Sequence, residues 1–244
     1  MRDTRIFTGT ALHSGADLVL EPEPSRHIAK ALRMNVGDEL TLFDGRGGEY
    51  LATITAVGRN NVEVRTGEHL HSERESPLQV HLGVAVSRGD RFDWVVQKAT
   101  ELGVARITPL VTERTGVKLA AERADKKLAH WQQVATSACE QCGRNRVPVV
   151  ESLRSCSDFV GNVDAQLKLV LHHRAEQRPT GDISIQTAAL LVGPEGGLSG
   201  EEIKQAEKAG FRSLALGPRV LRTETAPLAA LAILQAHWGD MAPG

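Results

Sequence analysis

The sequence predicts an α/β protein with a small strand-rich domain over residues 1–73 and a parallel-sheet domain over 74–244. Three observations carry this. After Pro77, apolar runs alternate with amphipathic helical stretches, the pattern of strands joined by crossover helices and covered on both faces. Before it, the runs are short and broken by turn residues. Between the two regimes lies a polar stretch, Glu68–Ser76 (EHLHSERES), read as a linker.

In the first domain, Asp17–Leu20, Glu39–Phe43, Tyr50–Val57 and Asn61–Arg65 alternate as strands, separated by Gly37-Asp38, Asp44-Gly45 and Arg59-Asn60-Asn61. One helix interrupts them. Ser25 is its expected cap, Ile28 and Leu32 its apolar face, and Asn35 or Gly37 its end. Arg26, Lys30 and Arg33 follow i, i+4, i+7 spacing, so an α-helix places three cations on one face. That face is either solvated or a phosphate contact.

In the second domain, Leu78, Val80, Leu82, Val84 and Val86 alternate strictly as a strand. Arg91–Leu102 is a helix with Phe92, Val95, Val96, Ala99 and Leu102 inward, stopped by Gly103. Val104–Val111 is a strand, Ala120–Gln141 a long helix, Val147–Val150 and Leu167–Leu171 further strands, the last ending in His172-His173. Then comes the stretch with the densest signals, residues 188–226. Ala188–Val192 is an apolar run broken by Gly193-Pro194-Glu195-Gly196-Gly197. Ser199 opens a helix with Glu202 three residues on, a capping box. Ile203, Ala206 and Ala209 or Gly210 line its apolar face, and Gly210 ends it. Ser213–Leu216 is a second run, broken by Gly217-Pro218 and followed by Arg222-Thr223-Glu224-Thr225 and an apolar helix, Pro227–Ala236. Ligands of open α/β sheets sit outside the carboxyl ends of strands, so both glycine loops are expected to face one crevice. The first loop lacks the Gly-Lys-Ser/Thr of a nucleoside-triphosphate cradle, and no G-x-G-x-x-G opens a helix.

Composition narrows the function. Formal net charge is −1, so any nucleic-acid binding rests on local basic patches. Aromatic content of 4% argues against a base-stacking platform. Cys139 and Cys142 form one C-x-x-C with no second pair, and Cys156 stands apart, so reduced thiols are expected and no metal. No apolar run is long enough to span a bilayer, and MRDTRIFTGT lacks a signal-like core, so the expectation is cytoplasm.

Gly193–Gly197 (GPEGG) with Leu216–Ala226 (LGPRVLRTETA) resembles the signature of the bacterial small-subunit ribosomal RNA uracil N3-methyltransferases of the SPOUT superfamily. The likeness extends through Gln97–Val104 (QKATELGV), Gln141–Pro148 (QCGRNRVP), His27 with Leu32-Arg33, Gly37-Asp38 and Phe43-Asp44-Gly45, and so covers nearly the whole chain. It implies a PUA-like RNA-binding β-barrel followed by a SPOUT domain with a deep trefoil knot. It implies S-adenosylmethionine as cofactor, 16S rRNA in the small ribosomal subunit as partner, and a homodimer. The three cofactor loops of that family fall on Leu171-His172, Gly193–Gly197 (with Pro194 and Glu195), Leu216-Gly217 and Val220–Thr225, with His173 as an alternative to His172. Val220, Leu221, Arg222, Thr223 and Thr225 belong to the last loop. Methyl transfer from a sulfonium needs positioning rather than a strong nucleophile, and positioning alone supplies about 7–11 kcal/mol in favourable cases. The uracil N3 proton needs an acceptor. Glu195 and Glu224 are the candidates, against plainer roles as a helix-end charge and a partner of Arg222. Arg222 is expected to steady the uracil oxygens or hold the target phosphate. RNA contacts are expected from Arg26, Lys30, Arg33, Arg144 and Arg146, and more weakly from Arg5, Arg88 and Arg114. Other acceptors, a ribose 2′-hydroxyl or another base, and a non-catalytic assembly factor are the alternatives.

Overall fold

The computed structural model describes residues 4–116, 121–172 and 184–241. They divide into two units. One is the chain up to Glu75 with Cys139–Val147; the other is Ser76–Ala138 and the chain from Pro148 onward.

The first unit is a five-stranded sheet of β1 (Arg5–Phe7), β2 (Asp17–Val19), β3 (Glu39–Phe43), β4 (Glu49–Val57) and β5 (Val62–Leu70), in the order β1-β3-β4-β5-β2. Its ladders are antiparallel except β1 on β3. Inward residues of alternating strands, Ile6, Leu40, Leu42, Ile54, Val62 and Val64, pack with Leu12, Leu20 and Ile28 into its core. Strand β1 was not anticipated, since three residues are too few to show a period.

Between β2 and β3 lie helix α1 (Pro22–Arg26) and a π-helical segment, His27–Leu32. Here the structure corrects the sequence reading. Ser25 is not the cap: Glu21 holds that place, and Pro22 needs no cap for an amide it lacks. Ser25 is buried, its hydroxyl donating to the Leu20 carbonyl (2.9 Å) and accepting from the Val62 amide (3.0 Å). The helix stops at Leu32, because Arg33 is left-handed at φ 56°. The wider π turn also rotates Leu32 outward to 40% exposure while Ile28 stays buried.

The second unit is a parallel sheet of β6 (Gln79–Ala85), β7 (Val104–Val111), β8 (Val149–Val150), β9 (Arg154–Ser155), β10 (Leu167–Leu171), β11 (Thr187–Val192) and β12 (Arg212–Leu214). The order is β12-β10-β11-β6-β7-β8, with β9 also on β7. Its helices are α2 (Arg91–Glu101), α3 (Ala121–Cys142), α4 (Cys156–Asn162), α5 (Gly200–Lys208) and α6 (Thr225–Trp238). The last turn of α3 groups with the first unit. Central strands β11 and β6 are buried on both faces, which is why they read as nearly continuous apolar runs. Helix α4 escaped the sequence reading; its seven residues are too few for a helical period, though Ser155 caps it by accepting from the Asp158 amide. Phe159 of α4 fills the space over Gly83, where a Cβ would stand 2.5 Å from the ring.

Helix α6 is pinned by its one buried polar side chain. Gln235 accepts from Ser76 Oγ (2.6 Å) and donates to the carbonyls of Leu102 (3.0 Å) and Gly103 (3.3 Å). Among the described residues Cys139, Cys142 and Cys156 form no disulfide, and burial pushes the Cys139 and Cys156 thiols up to about 12. Among the described residues no helix is long and apolar enough to cross a membrane.

His81 on β6 is packed edge-on to Phe159 at 5.1 Å and shares a 2.7 Å hydrogen bond with Thr108. Desolvation lowers it to about 4, against the pull of Glu151. The unfolded chain therefore takes up this proton first, near the ordinary histidine value of about 6.5. The contribution of neutral His81 is present in full above about pH 6.5 and drains away toward pH 4. His81→Asn is expected to flatten the pH dependence of the urea midpoint in that window; an unchanged profile would show that His81 is not the responsible group.

Candidate active site

Strands β10, β11 and β12 all end at the carboxyl rim of the second unit, and the chain leaving each lines a single pocket of about 250 Å3. Both glycine loops contribute, as the crossover logic requires. The lining includes Leu171, His172, Gly193, Pro194, Glu195, Gly196, Gly197, Leu216, Gly217, Val220, Leu221 and Thr223, all anticipated from sequence. Leu198, Leu214 and Arg219 line it too and were not anticipated. Leu198 and Leu214 read as core in sequence, and Arg219 carries no pattern of its own. Three anticipated residues do not line it. Arg222 and Thr225 are exposed, and Glu224 is the N-cap of α6 without a side-chain cap bond. The Arg222 carbonyl accepts from the amides of Thr225 and Ala226, both at 3.0 Å, so this residue closes the first turn of α6 at the pocket's edge. His173 lies outside the described residues.

The first loop is held by contacts made where side chains are absent. At Gly193 a Cβ would stand 2.8 Å from the Leu198 amide nitrogen, so the loop folds back on itself only with glycine there. Gly197 and Gly217 take the left-handed conformation, at φ 68° and 88°. Behind the loop, Ser199 and Glu202 form the anticipated capping box. The other oxygen of Glu202 accepts from the Glu113 amide (2.9 Å), and Arg114 donates to the Gly196 carbonyl (2.9 Å). The loop after β7 thus braces the loop after β11. Arg114, expected as an RNA contact, has its guanidinium on this brace.

Glu195 makes a 3.0 Å ion pair with Arg91 at the start of α2. No spacing in the sequence links positions 91 and 195. Arg88 is exposed and reaches the Gly116 carbonyl at 3.3 Å. In the first unit, Arg144 is buried and bidentate on Glu75, its Nη2 at 2.6 Å from the carboxylate. Arg5 pairs with Glu49, donates to Asn145 and stands over the Phe43 ring. Arg146 is exposed, 4.0 Å from Glu73. Arg26 and Lys30 line one pocket, and Arg33 is not part of it.

A larger cavity of about 460 Å3 opens among the amino ends of β6, β7 and β11, with Arg106 and Arg154 paired to Glu151. It is on the wrong side of the sheet for a site of the usual α/β kind.

Two family models match this chain: one described as an RNA methyltransferase domain, over residues 74–235, and one described as an RNA methyltransferase PUA domain, over 20–66. The ribosomal RNA small subunit methyltransferase E of Bacillus subtilis is 34% identical over 223 residues, 87% of each protein. Its counterpart from Buchnera aphidicola (subsp. Schizaphis graminum) is 33% identical over 248 residues, 98% of each. The solved ribosomal RNA small subunit methyltransferase E of Neisseria gonorrhoeae, bound to S-adenosyl methionine, matches with a TM-score of 0.91 at 37% identity, covering 99% of this chain and 100% of that one. A Legionella pneumophila protein solved with SAM bound matches with a TM-score of 0.95 at 45% identity, covering 98% and 100%.

Gly193→Ala is expected to cost about 1–3 kcal/mol, since the buried loop must shift to admit the methyl. Gly196→Ala meets only the Arg114 side chain, at an ordinary 3.5 Å, and is expected to be near neutral. Urea unfolding distinguishes them; equal losses would contradict the assigned loop geometry.

Proposed function

Because this chain belongs to the ribosomal RNA small subunit methyltransferase E family, we propose that it methylates N3 of a specific uridine in 16S rRNA of the small ribosomal subunit, with S-adenosylmethionine as donor. The observation that carries the reading is the convergence of both glycine loops and the end of β10 on one pocket. Its walls suit that cofactor. They are backbone and aliphatic side chain, with His172, Glu195, Arg219 and Thr223 as the polar side chains and no lysine to cradle a polyphosphate. When bound, the cofactor supplies an activated methyl group.

The chain's own part is positioning, dryness and proton handling. Amides of Gly193–Gly197 and Leu216-Gly217 hold and orient the donor, while Leu171, Leu198, Leu216 and Leu221 exclude water. Arg222, exposed beside the pocket, meets the uracil oxygens or the target phosphate as charge develops. The N3 proton leaves to a carboxylate. Glu195 lines the pocket and is steadied by Arg91; Glu224 stands at the head of α6. Because N3 is on the pairing edge, the target base must be unpaired or flipped out. In the first unit the proposal keeps the exposed cations Arg26, Lys30, Arg33 and Arg146 as RNA contacts. It does not use Arg5 or Arg144, whose charges are taken up by Glu49 and Glu75.

The proposal includes a homodimer. Helix α6 buries Pro227, Ala230, Leu231 and Leu234 on one side and leaves Leu228, Ala229, Ala232 and Ile233 half-buried on the other, an aliphatic strip suited to a second copy. Sedimentation at micromolar concentration is expected to report a dimer; a monomer would remove this part of the proposal.

The test of the reaction is nucleoside mass spectrometry of 16S rRNA incubated with protein and S-adenosylmethionine, as naked RNA, free subunit and whole ribosome. A 3-methyluridine product is expected, and a methylated ribose or another base would overturn the assignment. Gly196→Val is expected to abolish cofactor binding by calorimetry while leaving the unfolding midpoint nearly unchanged. Retained binding would count against the loop.

A further inference from the structure

We propose that the first unit grips a backbone phosphate of the RNA in a pocket of its own, between α1 with its π segment and the β4–β5 turn, through Arg26, Lys30 and Arg59. This deepens the reading of RNA as substrate and rests on it.

The pocket has a volume of about 360 Å3, and its lining contains three cations and no carboxylate. In a chain whose formal net charge is −1, that is a strong local bias. The three cations are exposed, and none of their side chains has a hydrogen bond or ion pair among the described residues. Three other arginines of the same unit are committed: Arg5 to Glu49, Arg65 to Asp17, Arg144 to Glu75. Like charges held together without counter-charge are costly in the free protein and are relieved by a bound anion.

The two walls are also fastened to each other. Ser25, 1% exposed, joins the helix side to the strand side by donating to Leu20 and accepting from Val62, the first residue after the turn. The turn is closed by the Gly58 amide donating to the Asn61 carbonyl at 2.8 Å. A side chain at Gly58 would collide with the Asn61 carboxamide, which folds back over it. Arg59 and Asn60 at the tip therefore have a rigid base opposite Arg26 and Lys30. No aromatic residue lines the pocket, so it is not built to stack a base. The amides of Asn60 and Asn61 suit the sugar or a base edge beside the gripped phosphate. Arg59-Asn60-Asn61 read in sequence only as a turn, because the cations opposite belong to an element more than twenty-five residues earlier.

The experiment is filter binding of a radiolabelled naked 16S rRNA transcript across a potassium chloride series. Arg26→Gln and Arg59→Gln are each expected to weaken binding and to make the log–log salt slope shallower by about 0.7–0.9, with the double variant losing about twice that. Lys208→Gln, at the exposed end of α5, removes the same charge and is expected to leave the slope unchanged. A double variant with the wild-type slope, or a wild-type protein that does not bind the transcript, would each overturn the proposal. Its failure is separable from failure of the reaction. If methyluridine forms while the double variant binds as wild type, the pocket is wrong and the reaction stands. If the slopes fall as expected while no methyluridine forms, the reaction is wrong and the pocket stands.

Discussion

Glu202 holds the candidate active site together. One carboxylate oxygen accepts from the Ser199 amide and completes the cap of α5, and the other accepts from the Glu113 amide in the loop after β7. A carboxylate at a helix amino terminus is favourable on its own, through the orphan amides and the helix dipole, by about 1 kcal/mol. Here the same charge also fixes where a neighbouring loop stands. Arg114 returns the contact by donating to the Gly196 carbonyl. The glycine loop is thus fastened at its exit by α5 and from the side by Arg114, and Gly193 lets it close on itself. A loop of five residues with three glycines is conformationally expensive to order. The clamp offsets that cost before any ligand arrives.

The clamped loop gives the pocket walls of backbone amide, aliphatic side chain and a few polar tips. That chemistry suits a donor that brings its own activation and needs alignment and dryness from the protein. It also fits a site whose polar residues, the Arg222–Thr225 segment, gather beside the pocket, while the Cys139 and Cys156 thiols are buried, raised far above neutral pH and so unreactive. Catalysis by positioning makes rigidity the main requirement, and the rigidity here comes from hydrogen bonds between loops.

Charge is used in two distinct ways in the first unit. Arg144 on Glu75 and Arg5 on Glu49 are interior pairs, where removing one partner strands a desolvated charge at several kcal/mol. Arg26, Lys30 and Arg59 have no such partner among the described residues and face solvent. By sequence these arginines are alike. Arg144 and Arg146 are two residues apart in one motif, yet one is buried and the other exposed. The difference is set by Glu75, which lies far away along the chain and meets Arg144 only after folding.

The long strands and helices were legible because their periods are long enough to register: β6, β7, β10, β11, α2 and α5 all fall where alternation or the 3.6-residue repeat put them. So was the convergence of the two glycine loops, because parallel strands must end at one rim. Short elements such as β1, β9 and α4 were not, since two or three residues show no alternation and the seven of α4 are too few for a helical repeat. The register of cations on the first helix was misjudged because a π turn changes the residues per turn, and nothing local announces a π turn. Sequence alone therefore determined the fold class, the order of elements and the loops that form the pocket, all consequences of local pattern and of chain crossover rules. Tertiary structure alone decided which carboxylate each arginine meets, that Ser25 is a buried fastener, and that Glu202 and Arg114 brace the glycine loop. Those depend on side chains distant in sequence arriving within hydrogen-bond reach, and no local spacing encodes that distance.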